Sequence, residues 1–569
     1  MFNNPEFNQT LSSKSVIVPS EHQKSYVGGG EPLRFVVPDY IRYIDMKQSF
    51  LSFKLKVKAP RPVRLNKTAG AHSIIDRIRI YDGSQTIQLE NCENYAERVA
   101  LTHHYSSNTS MNNKRGLLEA VESEIPTVSE NTHSTSWGGS LVRNIFTEPI
   151  KSNLQAAKSI TVAQTMNGNT IEVALRLECG VFSHRSAFPN GHIGGLIIEI
   201  DTNPALKVLE LVAPQGIAKT DYPVAAPGPG PANATKQYFN VIEGGIAGVY
   251  SAAGLVNAAC MGFKLASAGQ LVNHEASLGL STANNVKVGD VLRANAGPLG
   301  ANVISLGAIT EIKDLGAGVL ALEFAAVDLS NAPEQMLVGA KVWVQVGGLN
   351  APLLGTAGEI SYTCDELQLV LKQVEVPKSY DDMMVRAKES QEGMSIDLWS
   401  YDTYRNNVQS GEVISQINIP SYNERVKSVL TLPYNNTLTH SLWENNLTTV
   451  LDGIQSYVWY LDGLPQPTKA VETDRMSLDP AQIDQVALWE QEKALSSCGI
   501  AVSKLISQDK FWFIPRALAR YNGVYDLKDK GSIQLKTTYS APAVNKLLIS
   551  FICHVRRVVV SSMGKYVEL

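Results

Sequence analysis

The sequence lacks the features that mark disulfide-bonded, secreted and membrane-spanning proteins. No C-x-x-C pair occurs, and its cysteines stand singly at Cys92, Cys179, Cys260, Cys364, Cys498 and Cys553. This spacing indicates neither a zinc site nor a disulfide framework. The amino-terminal segment lacks the basic and apolar regions of a signal peptide, and no apolar run approaches the roughly 18 residues of a membrane-spanning helix. We therefore expect a protein made inside a cell without a signal peptide, with reduced and mostly buried thiols.

Charge is also scarce in this chain. Charged residues make up 18% of the 569 positions and hydrophobic residues 44%, a composition typical of a folded rather than a disordered chain. The formal net charge of −4 argues against a surface built throughout for nucleic acid. The length exceeds that of one ordinary domain and predicts about two to four cores.

The sequence contains no complete catalytic motif. The stretch "NHEAS" (273–277) begins like the zinc-protease motif H-E-x-x-H, but Leu278 stands where the second histidine should be. No G-x-S-x-G, P-loop or G-x-G-x-x-G motif occurs. Cys498 has no recognisable base, which indicates a buried thiol rather than a nucleophile. We expect no enzymatic activity and no cofactor.

The histidines give no metal signal in the sequence. Neither of the pairs His103/His104 and His184/His192 has a carboxylate or cysteine cluster at ligand spacing. Solvated or core histidines are the interpretation that this pattern favours, and we expect no metal site.

Alternation of apolar and polar residues is the dominant pattern that is present. In "FLSFKLKVK" (50–58) the apolar side chains fall on one face and the polar ones on the other, as in a half-buried strand. The same period recurs at 194–201, 365–376, 531–539 and 546–560, and helical patterns are confined to short stretches. The chain is predicted to be all-β with short helices.

A local pattern occurs twice. "IRIYDGSQTIQLENCENYAERVAL" (78–101) reads as strand, Asp-Gly turn, strand and helix, and 455–468 followed by 479–497 reads the same way. Chance is the alternative, because Asp-Gly turns are common. The order of the surrounding segments favours a duplicated β-sandwich.

Composition divides the chain into four parts. Residues 1–30 are polar, end in three glycines and are predicted to be an amino-terminal arm. A Pro/Gly-rich connector leads into a charge-poor segment at 212–357, which predicts an inserted small β-domain. The first β-zone is assigned to 31–211 plus 358–380, and the second to 381–569.

Taken in order along the chain, five stretches resemble those of double jelly-roll major capsid proteins of the adenovirus-hexon-like lineage. The resemblance is greatest to the capsid proteins of virophages and polinton-like viruses. They are 73–98, 171–203, 360–380, 455–467 and 521–542. The resemblance implies two jelly-roll β-sandwiches in tandem. It further implies a homotrimer that forms a pseudo-hexameric capsomer, a place in the icosahedral shell of a virion, and contacts with neighbouring capsomers, penton proteins and minor capsid proteins.

A second class of function stays open. A non-viral multi-domain β-sandwich protein that binds carbohydrate or mediates adhesion would share the strand pattern. Secreted adhesins usually carry a signal peptide, disulfides or calcium-binding acid clusters, and this sequence shows none of them.

Aromatic side chains in the second zone are the candidate anchors of trimer contacts, because such residues dominate many interfaces. The alternative is that they are core residues. The candidates are Trp399, Tyr404, Trp459 and Trp512.

A basic strip without acidic residues runs through 54–67, with Lys54, Lys56, Lys58, Arg61, Arg64 and Lys67. It predicts a surface inside the shell, facing the genome or an inner membrane. Lysines that protect a strand edge are the alternative.

Two further expectations concern the arm and the insert. Residues 1–27 are too polar to order by themselves and are expected to be held by neighbouring subunits. Strands at 205–211 and 366–376 are predicted to be the last two of the first sandwich, with the insert between them. The insert would then stand outside the shell, where it either binds a host receptor or only thickens the capsomer.

Overall fold

The described part of the chain covers most of both β-zones and the strands of the insert. The computed structural model describes residues 11–21, 25–58, 63–66, 68–106, 115–116, 118–121, 145–146, 170–211, 361–435, 447, 449, 453–473, 485–503, 512–518, 523–528, 532–539 and 545–568, and nine strands within 212–357.

The strands before the insert are β1 (Ser12–Pro19), β2 (Ser25–Val27), β3 (Leu33–Val37), β4 (Ile44–Lys58), β5 (Val63–Leu65), β6 (Ile75–Asp82), β7 (Gln88–Glu93), β8 (Ile145–Phe146), β9 (Thr170–Leu175), β10 (Leu196–Thr202) and β11 (Leu209–Leu211). Those of the insert are β12 (Tyr238–Asn240), β13 (Gly248–Ser251), β14 (Gly254–Asn257), β15 (Phe263–Ser267), β16 (Gln270–Asn273), β17 (Val291–Ala296), β18 (Asn302–Gly316), β19 (Val319–Phe324) and β20 (Val342–Gln345).

The strands after the insert are β21 (Ser361–Glu375), β22 (Met394–Val408), β23 (Ile414–Pro420), β24 (Val426–Asn435), β25 (Ile454–Leu461), β26 (Leu464–Glu472), β27 (Ile514–Ala517), β28 (Ser532–Tyr539), β29 (Lys546–Ser561) and β30 (Gly564–Glu568). The helices are α1 (Tyr95–Tyr105), α2 (Asn190–Ile193), α3 (Ala205–Val208), α4 (Lys378–Glu389) and α5 (Gln485–Ser497), with a 3₁₀ helix at Gly70–Ile74.

The first half is a sandwich of two antiparallel sheets. One has the order β1-β21-β4-β9, with β2 also paired to β21, and the other has the order β3-β10-β6-β7. If the eight main strands are counted along the chain, the two orders are 1-8-3-6 and 2-7-4-5. This is the arrangement of a jelly roll.

The second half repeats this arrangement strand by strand. Its sheets have the orders β22-β29-β24-β27, with β30 added on β29, and β23-β28-β25-β26. Counted along the chain, these are again 1-8-3-6 and 2-7-4-5. The predicted tandem of two jelly-roll sandwiches is therefore confirmed.

The repeated local pattern corresponds to the fourth and fifth strands and the helix after them. In the first sandwich β6, β7 and α1 follow one another, and in the second β25, β26 and α5 do so. Asp462 and Gly463, both with positive φ, form the two-residue turn of the second hairpin. In the first hairpin Asp82 is the last residue of the strand, and the loop after it is longer.

Alternation of apolar and polar residues explains why β4 packs with one face against the core. Leu51, Phe53, Leu55 and Val57 are buried between the sheets, and the intervening polar residues face outward. Burying such a side chain stabilises the fold by about 1.5–3 kcal/mol each. The hydrophobic pattern therefore fixes the register, since a shift by one residue would expose the whole apolar face.

The described strands of the insert pair only with one another. They form one row in the order β12-β20-β17-β18-β19-β16-β15-β13-β14. The chain enters this segment after β11 and returns at β21. No helix in the described part of the protein is both long and apolar enough to cross a bilayer.

The expectation of an arm over residues 1–30 is wrong from residue 12 onward. β1 pairs with β21 from Ser12 opposite Glu375 to Pro19 opposite Gln368, and β2 pairs with the same strand. β1 is the first strand of the first sandwich and satisfies the backbone groups along the outer edge of β21. This chain itself, rather than a neighbouring subunit, holds the segment.

The prediction of one strand over 205–211 is also partly wrong. This stretch forms α3 and the three-residue β11, which pairs with β5. The seventh strand of the sandwich is instead β10.

The placement of β1 predicts different effects for two neighbouring residues. Val18 is 7% exposed and Ile17 is 58% exposed. We expect Val18→Asp to lower the free energy of unfolding by about 2–4 kcal/mol, because it buries a carboxylate, and Ile17→Asp to stay within about 0.5 kcal/mol of the wild type. Urea midpoints measure both. Equal midpoints for the two variants would contradict the assignment of β1 to the sandwich.

Candidate functional site

The feature that most constrains what this molecule can do is the junction between its two sandwiches. The hydrophobic core of the first sandwich continues into residues of β22, β29 and α5 in the second. Tyr401 of β22 meets Phe551 of β29 edge to face at 5.4 Å between ring centroids, and both side chains are buried in this shared core. The halves are therefore packed as one body rather than joined by a free linker.

The buried carboxylate of Glu90 lies at the centre of the junction. Glu90 belongs to β7, and its Oε1 accepts hydrogen bonds from the backbone N–H of Gly180 at 2.6 Å and from Ser400 Oγ of β22 at 2.9 Å. Its Oε2 accepts from the N–H of Val181 at 2.9 Å. Cys92 Sγ adds a longer contact to Oε1 at 3.3 Å. Buried polar oxygens need such donors, and the bond from Ser400 ties β22 to the first sandwich.

Close approach at Gly180 also defines the junction. A Cβ at this position would lie 2.6 Å from the carbonyl oxygen of Trp399 and 2.9 Å from Glu90 Oε1. Any side chain here would push β22 away from the first sandwich.

Polar contacts extend the junction on both sides of Glu90. The guanidinium of Arg98 lies 4.3 Å from the ring centre of Tyr401, a cation–π contact. Further hydrogen bonds across the junction include Thr403 Oγ1 to Glu93 O at 3.0 Å, Arg405 Nε to Asn94 Oδ1 at 2.8 Å and Arg556 Nη2 to Gln88 O at 3.0 Å.

An ion pair joins the carboxyl-terminal hairpin to the first sandwich. Lys565 Nζ lies 2.6 Å from Oδ2 of the buried Asp82. Burial raises the pKa of this carboxyl group, but the N–H of Ile87 and the ammonium of Lys565 outweigh burial and hold the pKa well below its usual range. The pair therefore contributes stability above the ordinary aspartate pKa of about 3.9, and this contribution is lost as the pH falls toward the lowered value.

A cavity of about 750 Å³ opens beside the junction. Cationic side chains of Arg98, Arg115 and Arg176 line it together with Glu178 and Trp399. Its lining brings Ser186 Oγ to 3.4 Å from His184 Nδ1, but this nitrogen donates to the carbonyl of Ser186 at 2.9 Å and so cannot take the proton of the hydroxyl.

Two of the four candidate aromatic anchors are core residues, which corrects the expectation for them. Trp459 and Trp512 are 0% and 1% exposed and belong to the hydrophobic core of the second sandwich. Trp459 Nε1 donates to the carbonyl of Pro515 at 3.0 Å, so its polar atom is satisfied inside the fold. Trp399 is 43% exposed, and Tyr404 is partly buried against the same core.

The basic strip has acidic neighbours that its own sequence does not show. Lys54 Nζ lies 2.8 Å from Glu366 and 4.0 Å from Glu172, which reach it from the adjacent strands. Lys56 and Lys58 share the outer face of β4 with Lys54. Arg64 lies in β5, whereas Arg61 and Lys67 lie outside the described residues.

His103, His104 and His192 are buried, as expected of core histidines, and three histidines have carboxylate partners in the fold. His103 Nε2 lies 2.8 Å from Glu178 Oε1, His72 Nε2 lies 3.4 Å from Glu119 Oε2, and His192 Nε2 lies 3.4 Å from Asp381 Oδ1. Each partner is distant in the sequence, so spacing along the chain could not reveal the pairing. Cys498 is a buried free thiol, as predicted, and burial raises its pKa.

No protein family model and no curated protein sequence matches the chain. Among solved structures, the Faustovirus major capsid protein matches with a TM-score of 0.50 and 9% identity, over 99% of this chain and 93% of that one. The PBCV-1 virus capsid protein matches with a TM-score of 0.46 and 7% identity, over 100% of this chain and 99% of that one. The mavirus major capsid protein matches with a TM-score of 0.36 and 8% identity, over 100% of this chain and 91% of that one. The likeness to the Faustovirus protein confirms the predicted fold.

The four hydrogen bonds that Glu90 accepts, from Gly180, Val181, Ser400 and Cys92, predict a large effect of an isosteric change. In Glu90→Gln an amide N–H₂ would replace one of the two acceptor oxygens and face a donor, leaving buried groups unsatisfied, and we expect the free energy of unfolding to fall by about 2–4 kcal/mol. Glu172→Gln is the matched control, because it makes the same change on a side chain that is 78% exposed. Urea midpoints compare the two variants, and an unchanged midpoint in Glu90→Gln would contradict the central role of this carboxylate.

Proposed function

We propose that this chain is the major capsid protein of an icosahedral virus, and that three copies form a pseudo-hexameric capsomer. The observation that carries the proposal is the repetition of one strand order in two sandwiches that share a continuous buried core. The likeness to the Faustovirus major capsid protein over 99% of this chain supports it.

Two equivalent sandwiches held side by side give each chain two similar wedge-shaped halves. A closed threefold assembly of such chains presents six wedges, although only three copies are present. A block with near-sixfold outline can tile a shell, and this function requires surfaces rather than a catalytic site.

Exposed aromatic and aliphatic side chains on the second sandwich favour a role for this surface in contacts between subunits. Trp399 is 43% exposed, and Trp489 and Val486 on α5 are 59% and 57% exposed. We propose Trp399 and Tyr404 as contacts between subunits, because aromatic side chains are enriched where protein surfaces meet.

Further partners follow from the same proposal. Neighbouring capsomers, penton proteins and minor capsid proteins would contact the edges of the trimer. The outer face of β4, with Lys54, Lys56 and Lys58, is proposed to face the genome or an inner membrane. Its attraction would be modest and screened by salt, since Glu366 already pairs with Lys54.

Solution mass tests the oligomeric state. Light scattering on the purified protein should give about three times the 61.9 kDa of one chain, because the proposed block is a closed trimer. Trp399→Ala should shift the protein toward monomer without changing the urea midpoint of the monomer. A wild-type monomer that binds glycans would overturn the proposal in favour of an adhesion or carbohydrate-binding protein.

Excision of the insert tests whether it is a separate outer module. Its described strands pair only among themselves, which supports a self-contained module. We propose that this module stands outside the shell and contacts a host receptor. Replacing 212–357 by a short Gly/Ser linker keeps β11 and β21 and should leave the trimer intact, since loop length costs little.

Particles of this deletion variant should assemble but fail to adsorb to host cells. Normal adsorption would refute a receptor role, and loss of the trimer would show instead that the insert joins the subunits. Wild-type particles prepared in parallel provide the reference.

A further inference from the structure

We propose that His72, His103 and Glu119 form a binding site for a divalent transition-metal ion, of which zinc suits the donor set best. Each residue offers a ligand atom within 4.8 Å of the other two, and all three side chains are buried. Imidazole nitrogens and carboxylate oxygens are ligands that zinc accepts in tetrahedral sites.

The distance between two of the donors fits such an ion. His72 Nε2 and Glu119 Oε2 lie 3.4 Å apart. Tetrahedral ligands with bonds of about 2.0–2.1 Å to zinc lie about 3.3 Å from each other. The pair could therefore bind one ion without moving apart.

These two atoms also lack any other partner. Apart from the 3.4 Å contact between them, neither His72 Nε2 nor Glu119 Oε2 has a hydrogen-bond partner among the residues that the structure describes. His72 is fully buried, and the Glu119 side chain is 9% exposed. Buried polar atoms in native proteins are nearly always satisfied, so two such atoms facing each other indicate a missing ligand.

The other nitrogen of each imidazole is already bound, which is how proteins orient metal-binding histidines. His103 Nδ1 donates to the carbonyl oxygen of Thr68 at 3.2 Å, since a carbonyl only accepts, and this leaves Nε2 toward the cluster. His72 Nδ1 lies 3.0 Å from the hydroxyl of Tyr95. That hydroxyl also accepts from the N–H of Glu178 at 2.9 Å, so it is itself fixed.

Glu178 lies beside the three ligands rather than among them, so water would complete a tetrahedral site. Its Oε1 lies 2.8 Å from His103 Nε2, and binding of the ion by this nitrogen would displace the proton of that contact. Two carboxylates then balance the charge of a divalent ion. Arg115 lies 3.9 Å from Glu178 and adds one positive charge at the wall of the cavity.

The backbone holds Glu119 against the helix that carries His72. A Cβ on Gly70, which has φ +55°, would lie 2.4 Å from the carbonyl oxygen of Glu119. Only glycine allows this approach, and the 118–121 segment is thereby placed next to the 3₁₀ helix. Glu119 and Glu178 also line the cavity beside the junction, which gives an ion a route to the site.

Metal binding to the purified full-length protein tests the proposal. After treatment with a chelator and dialysis against zinc chloride, the wild type should retain about one zinc per chain, and its unfolding temperature should rise. Cobalt(II) in place of zinc should give the visible absorption of a tetrahedral site.

Glu119→Gln keeps the size of the side chain and should weaken zinc binding roughly tenfold or more. His72→Asn should abolish it. His184→Gln is the matched control and should bind as the wild type does, because His184 lies outside the cluster and bonds to the carbonyl of Ser186 at 2.9 Å.

A folded wild type that retains less than about a tenth of an ion per chain would overturn the proposal, since a formed site binds stoichiometrically. The same conclusion would follow if Glu119→Gln bound zinc as tightly as the wild type. The cluster would then be an ordinary histidine and carboxylate network. If His72→Asn does not fold, the cobalt spectrum and Glu119→Gln still decide the question.

Discussion

The buried carboxylate of Glu90 is the interaction on which the arrangement of this molecule depends. Its oxygens accept hydrogen bonds from the backbone at Gly180 and Val181 in the first sandwich and from Ser400 in the second. Buried polar oxygens are tolerated only when donors surround them, and Ser400 is the donor that the second sandwich supplies. The absence of a side chain at Gly180 allows the two halves to approach closely enough to meet this need.

The fixed pair of sandwiches gives one chain two similar halves. The strand order is the same in both halves, and the core of the first runs into the second. The junction therefore sets the angle between two similar wedges, and that angle decides whether three chains close into a ring of six. The insert joins the first sandwich between its seventh and eighth strands, where it does not interrupt either sheet.

Sequence patterns anticipated much of the fold, because its strands are half-buried and alternate clearly. β4 and the two hairpins followed by helices show this directly. The first strand was not predicted because half of "SSKSVIVP" is polar and its partner β21 lies some 350 residues away along the chain. A pairing of that kind is decided by the unsatisfied edge of β21, which local sequence does not reveal.

The functional surfaces were harder to anticipate for the same reason. Trp459 and Trp512 are of a residue type that anchors many interfaces, but in the folded chain they are buried in a core. In the sequence Glu90 is an ordinary strand residue, and only the fold shows that Ser400 lies beside it. His72 and Glu119 come together only through the close approach at Gly70.

The central claim is that one chain supplies two equivalent wedges at a fixed angle, and electron microscopy of the purified oligomer tests it most directly. Class averages viewed down the symmetry axis should show a threefold particle with six similar lobes around a hexagonal outline. Averages that show two-fold particles, or three lobes with the sandwiches at variable angles, would contradict the account.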